Sequence, residues 1–150
     1  MYKELKCSQN DVLFLYMMKE LDIISISKSD FRNVLKTLTR FFTFGQTGSG
    51  GFLLSNINES LKDISFPDKI PDGGDLYIDF PMRYPVYAKV MPFNNIYDLF
   101  TQIKDIIECV FSNKRIFQIP EYIKFNDLYI EKLTVCTNGD IVVYIKTLEK

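Results

Sequence analysis

The sequence predicts an α+β fold: a single domain built on a mostly antiparallel sheet, with one long amphipathic helix packed on it. Three observations carry this expectation. Residues 95–112 hold Ile96, Leu99, Phe100, Ile103, Ile106, Ile107, Val110 and Phe111 at helical spacing. Asp75–Phe80 and Val86–Met91 both alternate between apolar and other residues, with Pro81-Met82-Arg83-Tyr84-Pro85 between them, as in two hairpin strands with a wide loop. Asn138-Gly139 separates two further strand-like runs, Leu128–Thr137 and Asp140–Leu148. Strands joined by hairpins favour an antiparallel sheet, here expected to carry its helices on one face.

In chain order, Val12, Leu15, Tyr16 and Leu21 predict a first helix over 11–22. A second helix is expected over 28–42. Phe31, Val34, Leu35, Leu38, Phe41 and Phe42 form its apolar stripe. Ser27 with Asp30 three residues on suits an N-cap and an acidic first turn. Residues 45–51 are glycine-rich and must form a loop, and the polar stretch to residue 74 reads as a long connection with a short helix at 57–63. The long helix at 95–112 has Asn94 or Asn95 to cap it. Lys114–Ile119 is expected as a short strand ending at Pro120. A two-residue type I′ turn at Asn138-Gly139 would set Val135 opposite Val142, Leu133 opposite Tyr144 and Glu131 opposite Lys146. The chain thus divides into a helical part (about 1–44), a glycine-rich and acidic connection (about 45–74) and a sheet-rich body (about 75–150). The helical part is too short for a comfortable core of its own, so one domain is expected.

Composition narrows the chemistry. Of 150 residues, 47% are hydrophobic and 25% charged, which suits a packed core and argues against disorder. There is no histidine, which removes the commonest general base and the commonest metal ligand. Cys7, Cys109 and Cys136 are scattered, with no Cys-x-x-Cys pair, so neither a disulfide framework nor a zinc site is expected. Reduced thiols, no apolar signal-peptide stretch in the first residues and no membrane-spanning run point to a cytoplasmic protein away from membranes. No Gly-x-Ser-x-Gly elbow occurs, and a cysteine nucleophile would lack its histidine base. The expectation is a protein without enzymatic activity, cofactor or metal.

Gly45-Gln46-Thr47-Gly48-Ser49-Gly50 resembles, over six residues, the start of the P-loop of kinesin-type motor ATPases. That resemblance implies nucleotide binding, but a P-loop continues with Lys and Ser or Thr. Here Gly51 and Phe52 follow, so the phosphate-binding ammonium and the Mg²⁺-holding hydroxyl are both missing.

Two charged features suggest partners. Glu59, Asp63, Asp68, Asp72, Asp75 and Asp79 outnumber Lys62 and Lys69 in one segment, and Met82, Arg83 and Tyr84 follow on a proline-bounded loop. Tyr, Met and Arg are enriched at protein interfaces. The expected partner-binding set is therefore Asp68, Asp72, Asp75, Asp79, Met82, Arg83 and Tyr84, facing another protein with a basic surface. The rival is a basic stripe, Lys28, Arg32, Lys36 and Arg40, spaced four apart on the second predicted helix opposite its apolar stripe, which would contact nucleic acid. The leading functional expectation is a small protein-binding module, concretely an immunity or inhibitor protein that neutralises a toxin or a defence-system protein, of the kind phages carry. The alternatives are a nucleic-acid-binding regulator and a structural subunit of a larger assembly such as a virion.

Overall fold

The computed structural model describes residues 23–45, 52–57, 59, 61, 74–80, 84–93 and 95–147. The expected helix at 11–22, the glycine-rich residues 46–51 and the stretch 62–73 lie outside these. In chain order the elements are β1 (Ile24–Ser25), α1 (Lys28–Thr37), β2 (Arg40–Gly45), β3 (Phe52–Leu53), β4 (Asp75–Asp79), β5 (Val86–Lys89), α2 (Ile96–Phe111), α3 (Lys114–Phe117), a 3-10 turn (Phe125–Asp127), β6 (Leu128–Cys136) and β7 (Ile141–Thr147).

The strands form one sheet in the order β1-β5-β4-β7-β6-β2, and β3 also pairs with β6. β2 takes the β6 edge from Lys132 to Cys136, and β3 takes it at Tyr129 and Ile130. Every pairing is antiparallel except β4 with β7. The fold is α+β with a mostly antiparallel open sheet, as the hairpin signals predict.

Alternation along the strands decides what each face holds. Leu76 and Ile78 of β4, Val86 and Ala88 of β5, Leu133 and Val135 of β6, and Ile141, Val143 and Ile145 of β7 all enter one buried cluster. That cluster also takes the apolar stripe of α2, in which Ile96, Leu99, Phe100, Ile103, Ile106, Ile107 and Val110 are fully buried. Asn95 caps this helix by accepting from the Asp98 backbone N–H at 2.8 Å. The intervening residues meet a second cluster: Tyr77 and Val142 pack against Phe31 of α1, with Val34, Leu35, Leu38, Tyr87 and Tyr144 around them. Helices therefore cover both faces, not one. Hydrophobic spacing alone identified α1 and α2 but carried nothing about which face each would take.

Three expected elements need correction. The helix predicted over 28–42 ends at Thr37, where Leu38 is already extended, and residues 40–45 form β2. Phe42 pairs with Val135 and Phe44 with Leu133. An aromatic and threonine-containing run suits a strand, and partnership with β6 satisfies a backbone that helical spacing alone would have kept helical. Lys114–Ile119 is not a strand: residues 114–117 make a helical turn, ended by Gln118 in the left-handed region at φ 57°. Lys114 Nζ holds the following loop by donating to the Ile123 carbonyl at 2.6 Å, and Phe117 and Ile119 are buried in the main core.

The C-terminal hairpin is present, but its turn has three residues, Thr137, Asn138 and Gly139. Cys136 N–H donates to the Asp140 carbonyl at 2.8 Å, and Gly139 N–H to the Cys136 carbonyl at 2.9 Å. Gly139 alone takes the positive φ, 91°, as in a type I turn followed by a bulge. Val135 therefore faces Ile141 and Leu133 faces Val143, one residue from the expected register. The physical reason is the side-chain period of two: only this register puts both partners of each pair on the α2 face. An irregularity between Ile130 and Lys132 then shifts the ladder, so that Tyr129, not Glu131, faces Lys146.

The turn is also wedged against the start of β4. A Cβ added to Gly74 would collide with the Gly139 carbonyl. Asp140 Oδ1 accepts from the Asp75 backbone N–H at 2.9 Å, while its other oxygen accepts from the Asn138 amide at 3.0 Å. Gly74→Ala is expected to cost about 1–3 kcal/mol, because backbone rather than a flexible side chain must give way. Gly139→Val is expected to cost about 1–2 kcal/mol through its positive φ. Urea denaturation of both variants against the parent checks the pair; a neutral Gly74→Ala would show that the two backbones are not in contact.

Candidate protein-interaction surface

The α1 face of the sheet carries the polar residues that neither core uses. Register lays them out in rows. In one row, Tyr77 of β4 pairs with Val142 of β7, Val142 with Thr134 of β6, and Thr134 with Thr43 of β2. Tyr77 and Val142 are buried, Thr134 is half-buried and Thr43 is exposed. Thr43 and Thr134 share a hydroxyl hydrogen bond at 3.3 Å, so both side chains lie on this face. Burial falling along the row means that α1 covers β4 and β7 and leaves the β6–β2 half of the face open among the described residues.

The next row runs Asp79, Tyr144, Lys132. Lys132 Nζ lies 4.7 Å from the centre of the Tyr144 ring, a cation–π contact. Burial pushes the Asp79 carboxyl above the ordinary aspartate range, and Lys146 and Lys28 pull it partly back. That influence of Lys28 places the first turn of α1 near the C-terminal end of β4. Burial also raises the Tyr144 phenol, with Asp79 adding to it and Arg40 opposing. Asp79, Tyr144, Lys146, Lys28 and Arg40 therefore share one electrostatic neighbourhood.

The third row holds Asp75, Asp140 and Cys136 at the turn end of the sheet. Asp75 Oδ1 accepts from the Tyr87 hydroxyl at 2.7 Å. Burial raises the Cys136 thiol, and Asp140 adds to this. The Cys136 side chain is almost fully buried. Among the described residues, no group of three or more Cys, Asp or Glu side chains gathers as a metal site.

α1 supplies the cations. Lys28, Arg32 and Lys36 are exposed along it, and Arg40 is exposed at the start of β2. Arg40 thus belongs to a strand, not to the helix on which the sequence reading placed it. Successive four-residue steps advance about 40° around a helix, so the three helical cations centre about 110° from the apolar group of Phe31, Val34, Leu35 and Leu38. They flank the buried face, not oppose it, which leaves them beside the sheet surface.

Two exposed apolar residues, Ile24 and Tyr84, lie near the start of α1. β1 is an edge strand, with Ile24 paired to Tyr87. Ile26 N–H donates to the Pro85 carbonyl at 3.0 Å, next to Tyr84. Ile24 is 42% exposed and Tyr84 37% exposed, so two large apolar side chains stand in water at one edge of the sheet.

The expected partner-binding residues therefore separate. Tyr84 is exposed beside β1. Asp79 is half-buried on the α1 face, where Lys146 and Lys28 favour its charged form, and Asp75 is half-buried and bonded to Tyr87. Asp68, Asp72, Met82 and Arg83 lie outside the described residues. All four members of the basic stripe are described, and the sheet adds Lys132 and Lys146, both exposed. Those two, with Thr43, Thr134 and Tyr144, were missed from sequence. Their alternation with core residues along β6 and β7 was a usable signal, but it needed the strand order to show that they share a surface with α1.

Among the described residues, no helix is long and apolar enough to cross a membrane. No protein-family model matches the chain, and comparisons with curated proteins and with solved structures give no significant match.

Asp79 offers a pH test of this geometry. A carboxyl with a raised pKa in the folded state favours the neutral form. Its contribution to stability is present below the ordinary aspartate range and lost as pH rises through the raised value. Asp79→Asn should therefore raise the melting temperature at pH 7 and lose that advantage at pH 3. Thermal unfolding at the two pH values checks it, and an equal gain at both would assign the effect to something other than ionisation.

Proposed function

We propose that this chain is a non-catalytic protein-binding module, and in concrete form a small inhibitor or immunity protein that occupies a toxin or defence-system protein. The observation that carries the reading is the exposed pair Ile24 and Tyr84 at the β1 edge, directly before the cationic helix α1. An aromatic and an aliphatic side chain exposed near a cationic helix match the residue types of an interface centre and its polar border. The absence of histidine from the sequence also leaves the chain poorly supplied for acid–base chemistry.

The expectation of a basic partner rested on the acidic segment 59–79. Three of its carboxylates are described: Glu59 is exposed, whereas Asp75 and Asp79 are half-buried and sit beside other groups of the fold. Tyr84 therefore keeps its place in the proposed surface on firmer ground than the carboxylates do.

The test places a photo-crosslinking residue at position 84 and, separately, at Tyr122, which is 78% exposed in the connection between α3 and β6. One defined protein adduct from position 84 and none from position 122 is the expected result. With that protein purified, Tyr84→Ala should weaken binding by about 30-fold, equivalent to roughly 2 kcal/mol for a hot-spot aromatic. The parent chain should lower the partner's own activity. Equal adducts at both positions, or an unchanged affinity for Tyr84→Ala, would overturn the assignment.

A further inference from the structure

We infer that the partner presents an acidic protein surface, docked on the open β6–β2 half of the sheet beside α1. This inference rests on the protein-binding reading and assigns the charge and place of the contact. Lys28, Arg32 and Lys36 line α1, Arg40 begins β2, and Lys132 and Lys146 stand on the same side of β6 and β7. All six are exposed. Among the described residues, Asp79 lies near these cations, Asp30 stands in the first turn of α1, and Glu131 is at the irregularity in β6. The whole chain has a formal net charge of −1, so this concentration of cations is local and not a reflection of a basic protein.

The chemistry of the floor decides between kinds of polyanion. Thr43 and Thr134 carry hydroxyl groups on this face, one exposed and one half-buried, and Tyr144 offers a ring already capped by Lys132. Hydroxyls and separated ammonium and guanidinium groups suit carboxylates spaced along a protein surface. A single-stranded nucleic acid gains from bare aromatic faces on which bases can stack, and the Tyr144 ring is occupied. Asp79, in the middle of the cations, repels a continuous row of phosphates but is tolerated by a partner whose carboxylates are discrete. Opposed local charges steer association and fix orientation; Ile24 and Tyr84 lie at the other edge of the sheet, so a partner that also covers them spans α1.

The probe is a labelled 20-residue poly-L-glutamate, with a 20-base-pair DNA duplex as comparison, read by fluorescence anisotropy on the full chain at low salt. Two double variants carry the same change of charge: Arg32→Glu with Lys36→Glu on the proposed surface, and Arg115→Glu with Lys124→Glu on exposed positions of α3 and the loop that follows it. Circular dichroism establishes that both fold. The expected result is a loss of polyglutamate affinity of about tenfold in the first variant and little change in the second. Equal losses in the two would show that charge counts without place, and would overturn the inference. Tighter binding of the duplex than of polyglutamate through Arg32 and Lys36 would overturn it in favour of nucleic acid. If crosslinking at position 84 succeeds while the Arg32 and Lys36 reversal leaves polyglutamate binding unchanged, the acidic-partner inference alone falls. If crosslinking fails while the reversal acts as expected, the basic surface stands and the inhibitor reading falls.

Discussion

The parallel pairing of β4 with β7 is the constraint on which the rest of the molecule depends. The sheet consists of two antiparallel sections, β1-β5-β4 and β7-β6-β2, and this seam joins them. Leu76 opposite Ile141 and Ile78 opposite Val143 send four apolar side chains to α2, while Tyr77 opposite Val142 meets α1. Both helices are therefore held by residues of the same two strands. Asp140 sets the offset of the seam from one end, because its carboxylate takes the first backbone N–H of β4. Gly74 allows the turn beyond β7's start to lie against the chain entering β4 without a side chain between them. A carboxylate accepting from a backbone donor is stronger than a neutral pair, which suits a contact that has to fix register.

How much of this is legible in the sequence depends on whether the signal is local. The helix around Ile96–Phe111, its Asn95 cap, the Ser27 cap and the alternation of β4 and β5 depend on neighbours along the chain, and sequence reading finds them. Phe41 and Phe42 mislead because their spacing from Leu38 is compatible with a helix, and only β6, some ninety positions away, makes them strand residues. The hairpin at Asn138-Gly139 is found, but Asn138 keeps a negative φ and Thr137 joins the turn, which moves the register by one. Lys114–Ile119 misleads in another way. Two apolar residues before a proline look like a strand, yet Ser112 and Asn113 bond back to α2 carbonyls and carry the chain into another helical turn.

The candidate surface is less legible than the fold for the same reason. Lys28, Arg32 and Lys36 announce themselves by a spacing of four. Thr43, Lys132, Thr134 and Lys146 come from three strands and have no spacing in common. They become one surface only when β2, β6 and β7 are aligned, and Arg40 joins them as a strand residue. The aromatic residues divide similarly. Phe100 and Phe52 meet edge to face at 5.3 Å in the main core, whereas Tyr77 and Tyr87 pack under α1 with their hydroxyls near the carboxylates of the turn end. Nothing in the composition separates the two groups; the face of the strand does.

The seam also has a meaning in time. β4 and β5 are close neighbours in the chain, as are β6 and β7, and α2 is local by nature, so each of these units has short-range reasons to form. The seam has none, since β4 ends at Asp79 and β7 begins at Ile141. Closing a loop costs entropy that grows only with the logarithm of its length, but that cost precedes any reward from the contact. A long intervening segment that is itself folded into α2 and β6 shortens the effective loop and lowers that cost. The hairpins and the long helix thus shorten the path to a junction that none of them makes alone, and that junction joins the two antiparallel sections into one sheet.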